Sequence, residues 1–342
     1  MFTDFPISPA RRRIVAAAVT VALAAGLTAC GNEDDTLRTP DGKEISTVTT
    51  RIARVNIVNA GRDFAQTCLA PTAADPGHSD VSRIVVTDPA LLDAVCALGI
   101  GPKVRAVTAG AGSVPAYLGP ALGAVPTIGD RPSRDAVATA APQLVLTTAS
   151  TTSDVEAMRA TGALGAARVV TIAPGDWRSV FTAVAGALGR SRAGADRLDE
   201  FDTEATRVGR VQDAAHSQVS LVRFTPDAEL LEGTGNFAAQ ILAQIGVQRP
   251  APQRGPDPVT VTDANFTDAD ADLIYVSADG PKGLERGTKV LQSDRWQEMG
   301  APSWSRVLWV DDQVWYASSG LAAAWLVLND VKSSLNGSSA GE

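Results

Sequence analysis

The residue with the most definite chemistry is Cys30, which closes the run Leu27-Thr28-Ala29-Cys30. This has the form of a bacterial lipobox. Small side chains let a peptidase reach the backbone, and the cysteine thiolate then carries a diacylglycerol. Upstream, Arg11, Arg12 and Arg13 form a positive n-region, followed by an apolar stretch over residues 14–27. That stretch falls short of the about 20 apolar residues of a spanning helix. It has the proportions of a signal-peptide h-region. Residues 1–29 are therefore expected to be a signal peptide, cut before Cys30. Residues 30–50, which begin with the polar Gly31-Asn32-Glu33-Asp34-Asp35, read as a lipidated tether. The expected location is the cell envelope, at the outer face of the cytoplasmic membrane, held by the lipid anchor.

Residues that could run a reaction are few. No Gly-x-Ser-x-Gly elbow is present. The two histidines, His78 and His216, neighbour no nucleophile, and no His/Cys/carboxylate group has metal-ligand spacing. Asp88 and the pair Asp311-Asp312 read better as caps and turn formers than as acids. No enzyme, no catalytic residue and no directly bound metal are expected. Setting aside Arg11, Arg12, Arg13 and Asp4 leaves 27 basic and 37 acidic side chains, a formal charge of −10. Such a surface argues against nucleic acid, whose binding depends on phosphate neutralisation. It also argues against an electrostatic membrane contact beyond the anchor. The expected oligomeric state is a monomer.

Two further cysteines, Cys68 and Cys96, lie in the exported part. Outside the cytoplasm a pair is expected to be joined. The alternative is that Cys96 is a buried free thiol on the apolar side of the helix over residues 91–98.

The elements that position these residues follow from periodicity and punctuation. The 313 residues after the signal exceed the size at which single cores stop growing, so two lobes are expected. Residues 52–58 read as a strand. From Arg83 onward short apolar runs alternate with helical patterns, with strands over 83–87, 104–108, 127–129, 143–148 and 167–172. Helices are expected over 90–98, 133–140 and 154–161. Asp88 as N-cap, Pro89 at the first helical position and Gly99 at the end bound the first helix. Such alternation predicts an α/β fold with parallel strands. Residues 190–213 carry Leu198, Phe201, Ala205, Val208 and Val211 at helical spacing and no proline. They predict one long helix. The βα pattern then restarts, with strands over 218–224, 228–231, 273–277 and 306–310. Helices follow over 237–245, 283–293 and 319–335, with a helical signal near 267–271. The expected plan is an N-terminal lobe over 51–190, a linking helix over 191–214, a C-terminal lobe over 215–337 and a tail over 338–342.

In this order the chain resembles the iron–siderophore substrate-binding lipoproteins of bacterial ABC importers, in their actinobacterial, mycobacterial iron-carrier form. The resemblance runs from about Arg83 to Leu335. It is carried by Arg83-Ile84-Val85-Val86 with Leu91-Leu92-Asp93-Ala94-Val95-Cys96-Ala97-Leu98-Gly99, and by Pro132-Ser133 with Ala141-Pro142-Gln143-Leu144-Val145-Leu146. Asp270-Ala271-Asp272-Leu273-Ile274-Tyr275 and Val310-Asp311-Asp312-Gln313-Val314-Trp315 complete it. It implies two Rossmann-like lobes with largely parallel sheets joined by one long helix, the class III periplasmic-binding-protein fold. It also implies a cargo cleft between the lobes, small opening motions and delivery to an ABC importer permease. The implied cargo is a ferric siderophore, with haem as a rival; iron would enter as cargo, not as a cofactor. A scaffolding or sensing role without transport is a further alternative. The resemblance implies permease docking through a carboxylate in the first turn of the Pro-Ser helix, where Asp135 fits. The corresponding helix of the second lobe has Gln240, Ala243 and Gln244 and no carboxylate.

Ligands of α/β sheets sit beyond the carboxyl ends of the strands. A ferric siderophore needs cations or N–H donors and aromatic walls. Arg131 follows a strand, and Arg223 stands in an apolar one; guanidinium offers a rigid fork to iron-bound oxygens. Each also has a plain reading, a surface charge for Arg131 and a buried ion pair for Arg223. Tyr117, Phe237, Trp315 and Tyr316 lie on the same loops and are candidate walls or simple packing. For haem, which takes an axial ligand, Tyr117 is the better candidate than either histidine.

Overall fold

A computed structural model describes residues 49–110, 113–131 and 133–336 of the chain. The expected signal peptide, Cys30 and nearly all of the tether lie outside the described residues, as do Pro132 and the tail 338–342.

The chain opens with two short strands, β1 (Arg51–Ile52) and β2 (Val55–Ile57). The first lobe then runs β3 (Ile84–Val86), α1 (Leu92–Ala97), β4 (Val104–Val107), α2 (Gly119–Gly123), α3 (Arg134–Ala140), β5 (Leu144–Thr148), α4 (Thr152–Ala160), β6 (Arg168–Ile172) and α5 (Trp177–Ala187). Its four strands lie in the order β4-β3-β5-β6 and are all parallel. β3 is buried at every residue, which suits a run of Ile and Val with helices on both faces. Asp88 accepts a hydrogen bond from the amide of Ala90, and Pro89 opens the 3-10 turn that leads into α1. Gly99 ends it at φ +68°, where a side chain would meet the carbonyl of Ala70. The sheet reverses its order of assembly between β3 and β5, so the switch point lies at the carboxyl ends of those two strands.

The long helix α6 (Ser191–Val211) follows. Gly194, Phe201, Ala205 and Val208 form its buried stripe. Burial of Phe201 alone is worth about 2 kcal/mol. Trp177 of α5 and Trp325 both meet the Phe201 ring edge-on, at 5.8 and 5.4 Å. The second lobe contains β7 (Val219–Phe224), β8 (Glu229–Leu231), α7 (Phe237–Ile245), β9 (Val259–Thr260), β10 (Leu273–Ala278), α8 (Gly280–Leu291), α9 (Asp294–Gln297), α10 (Gly300–Ser303), β11 (Val307–Trp309) and α11 (Leu321–Ser334). Its sheet has the order β1-β2-β11-β10-β7-β8-β9. β2, β11, β10 and β7 run parallel, and β1, β8 and β9 add antiparallel edges. One apolar core runs through both lobes, joining Ile84 and Leu146 to Leu221 and Tyr275. Cys68 and Cys96 are joined as a disulfide, which excludes the free-thiol alternative.

Several expectations need correction. Residues 51–57 do not belong to the first lobe's sheet. Ala53 and Arg54 take positive φ and reverse the chain, so β2 pairs in parallel with β11. That pairing covers an otherwise open edge, and the Trp309 indole donates to the carbonyl of Ile52 at 3.0 Å. The third strand expected at 127–129 reduces to isolated bridges with Val107 and Ala109. The helical signal near 267–271 is the 3-10 turn Phe266–Ala269. The last helix begins two residues later than expected, because Gly320 is extended and the side chain of Asp93 bonds the amides of Ala322 and Ala323.

Candidate functional site

The carboxyl ends of β3, β5 and β6 line a cavity of about 410 Å³. It opens at the switch point, where ligands of such sheets bind. Leu91, Ile172, Pro174, Trp177 and Val180 give it an apolar floor, and Asp88, Thr148, Ser150 and Ser319 give it polar edges. These edges are already organised. Thr148 donates to Asp88 at 3.0 Å and shares a hydrogen bond with Ser150 at 2.9 Å. Thr87, Thr147 and Thr151 form a chain of hydroxyls behind them, at 2.7 and 2.8 Å. Ser319 comes from the second lobe, from the segment after β11. The same segment crosses to the first lobe where Gln313 accepts from the amide of Ala116 at 3.0 Å.

The second lobe contributes a charged wall at the carboxyl ends of β7, β10 and β11. Arg223 sends Nε and Nη2 to the two oxygens of Asp312, at 2.7 and 2.8 Å. Ser277 donates to the same carboxylate at 2.9 Å. Asp279 stands 3.9 Å from the guanidinium. The hydrogen bonds that Arg223 donates to Asp312 hold it more firmly protonated than a free arginine. The guanidinium also lies 5.1 Å from the ring centre of Tyr316. The Tyr316 hydroxyl is enclosed and has no partner among the described residues, and burial pushes its pKa up. Glu232, 6% exposed, is shifted toward its neutral form by the same cause. Arg249 is spent on the carbonyls of Val219 and Glu232, and burial lowers its pKa to about 10.

Of the six candidate ligand residues, the structure gathers Arg223 and Tyr316 into this wall. Arg223 has its plain reading, an ion pair with an acid, and it stands near the carboxyl end of β7. Arg131 is 82% exposed and leans to Asp154 at 3.4 Å, so it is a surface charge in this state. Tyr117, Phe237 and Trp315 are core residues rather than walls. Tyr117 is 2% exposed and donates to Asp93 at 2.8 Å, which leaves it unable to serve as an axial haem ligand. Trp315 is fully buried against Tyr275 and donates to Asp330 at 2.9 Å. Phe237 packs edge-on against Trp177 at 6.2 Å. Asp135 is exposed in the first turn of α3, as docking would need. On α7, Gln244 is tied to Arg178 and Asp202. His78 and His216 are exposed.

The strand-end segments 87–88 and 148–152 are legible in the sequence as cavity edges, but Asp88, Thr148 and Ser150 are not singled out there, and Asp312 is not named as the partner of Arg223. Sequence reasoning also missed Asp93. This acid is 2% exposed on α1 and binds two amides of α11 and the Tyr117 hydroxyl. It ties α1 of the first lobe to α11 of the second in the buried interior. Its position inside the apolar run Leu91-Leu92-Asp93-Ala94-Val95 was the available signal.

No family model matches the chain. Over 171 residues it is 28% identical to the probable siderophore-binding lipoprotein YfiY of Bacillus subtilis, a match covering 46% of this chain and 53% of that protein. The chain thus spans about half the length of the curated relative it matches. Among solved structures it is similar to a FhuD-fold binding component of a ferrichrome ABC transporter from Bacillus subtilis. There the TM-score is 0.62 and the identity 17%, over 75% of this chain and 98% of that one. It is also similar to SirA of Staphylococcus aureus in complex with staphyloferrin B, with TM-score 0.58 and 18% identity over 78% and 99% of the two chains. The chain therefore has the FhuD-type fold of siderophore-binding proteins and is similar in sequence to a siderophore-binding lipoprotein.

Proposed function

We propose that this chain is a lipid-anchored, extracytoplasmic binding protein that takes a ferric siderophore between its lobes and passes it to an ABC importer. The observation that carries this reading is the cavity of about 410 Å³ at the switch point of the first lobe, with the Arg223–Tyr316 wall at the strand ends of the second. The apolar floor suits the organic shell of a siderophore. The hydroxyls of Thr148, Ser150 and Ser319 suit its polar edge. Similarity to a probable siderophore-binding lipoprotein supports the same reading. A role without transport draws on one observation, that α7 carries no carboxylate for a permease.

The test is a titration of the soluble form, residues 31–342, with ferric and iron-free siderophores, followed by tryptophan fluorescence. Trp177 lines the cavity and should be quenched. Saturable quenching that weakens without iron, and is lost in Ala173→Trp, which fills the cavity mouth, is the expected result. A flat response to every ferric siderophore would remove the reading. Cargo-stimulated ATPase of a reconstituted permease separates transport from scaffolding.

A further inference from the structure

Arg223 is the cation best placed for a ferric complex, yet its binding edge is already taken. Asp312 occupies Nε and Nη2 with both carboxylate oxygens, at 2.7 and 2.8 Å. Asp312 is itself held by the Ser277 hydroxyl, and its side chain is only 14% exposed. Asp279 adds a second carboxylate 3.9 Å away, so one guanidinium faces two acids. Across the cleft, Asp88 is the one ionisable side chain lining the cavity among the described residues, and it is an acid. Arg249 is spent on backbone carbonyls, and Arg131 leans on Asp154. An anionic cargo would have to share the guanidinium with Asp312, whose carboxylate already balances its charge, or expel Asp312 from a bidentate, charge-assisted pair.

We infer that Asp312 is a charge-selectivity residue, which masks Arg223 so that the cleft takes neutral or cationic ferric complexes and rejects anionic ones. This rests on the cleft being the cargo site. Recognition then runs through the hydroxyls of Thr148, Ser150 and Ser319, apolar contact and the acid at Asp88, which favours a cationic group on the cargo. The same field works against haem, whose propionates are anionic.

The experiment measures affinities of the soluble form for three ferric probes and for haemin. The probes are ferrioxamine B (cationic), ferrichrome (neutral) and a tris-catecholate (anionic). The wild type should bind the first two at least tenfold more tightly than the anions. Asp312→Asn should narrow that ratio by tenfold or more, chiefly by gaining affinity for the tris-catecholate. Asp279→Asn, at an exposed site, should narrow it less and serves if the first variant folds poorly. Salt should improve anion binding to the wild type, because screening weakens the repulsion. Preference of the wild type for the tris-catecholate or haemin would overturn the inference while leaving the cargo site standing. An unchanged ratio in folded Asp312→Asn would overturn the role of Asp312. Binding of none of the probes would sink the parent reading and this one together.

Discussion

Replacing Asp93 tests whether the lobes are clamped as the structure indicates. Asp93 accepts from the amides of Ala322 and Ala323, both at 2.9 Å, and from the Tyr117 hydroxyl at 2.8 Å, all in the buried interior. Asp93→Ala leaves two amides and one hydroxyl without acceptors. Each orphaned buried group costs ~1–3 kcal/mol. Removing a desolvated carboxylate gives part of this back, so a net loss of about 3 kcal/mol is expected. Asp93→Asn keeps one oxygen for the amides and can donate to Tyr117, so its loss should be about half as large. The sign of the pH effect follows from burial, which raises the Asp93 pKa above the usual 3.8 against the pull of its three hydrogen bonds. A group raised in the folded state favours folding fully below the unfolded value and loses that contribution as pH rises through the folded value. The stability gap between wild type and Asp93→Asn should therefore narrow as pH rises from the unfolded carboxylate range. Urea unfolding of the soluble form at a series of pH values measures all three. A loss below about 1 kcal/mol for Asp93→Ala, or a gap that widens with pH, would refute the reasoning.

Three further outcomes are expected. Removing the Cys68–Cys96 disulfide by paired Cys→Ser substitution should cost about 3.5 kcal/mol in the loop-entropy account for a separation of 28 residues. It is read from urea midpoints without reductant, and thiol titration of the denatured, unreduced protein should find neither cysteine free. Gly209→Ala should destabilise the protein by ~2 kcal/mol, as overpacking does. A Cβ there would collide with the carbonyl oxygen of Ile245, where α6 crosses α7. Thermal melts measure it, and an unchanged midpoint would show that the two helices can separate freely. Tyr316→Phe should raise stability by ~1 kcal/mol or more, since it removes an enclosed hydroxyl that has no partner among the described residues. Urea midpoints measure it, and a lower midpoint than wild type would refute the reasoning.

The parts that were legible in the sequence are those that local chemistry decides. Asp88-Pro89 announces a helix start, and the Asp88 side chain caps as expected. The apolar runs of β3 and β5 and the stripe along α6 depend on near neighbours, so periodicity finds them. The position of residues 51–57 was not legible, because their partner β11 is some 250 residues away and nothing in Val55–Ile57 names it. Aromatic loop residues were equally ambiguous. Tyr117 and Trp315 have the composition of ligand walls, but each uses its polar atom on a buried acid, Asp93 or Asp330. Those acids stand within apolar helical stretches, and that is where their clamping role could have been suspected. Arg223 in the strand Val219–Phe224 was legible as unusual. Which acid met it depended on the loop after β11.

The central claim is that the cargo sits at the switch-point cavity against the Arg223–Tyr316 wall. Iron anomalous scattering from a crystal of the soluble form with a ferric siderophore locates the cargo without reference to any mutation. The account predicts one iron between the Thr148–Ser150 edge and Tyr316, with Arg223 still paired to Asp312. An iron elsewhere contradicts it, for example in the groove of about 600 Å³ beside Arg51 and Arg54 at the opposite ends of the strands.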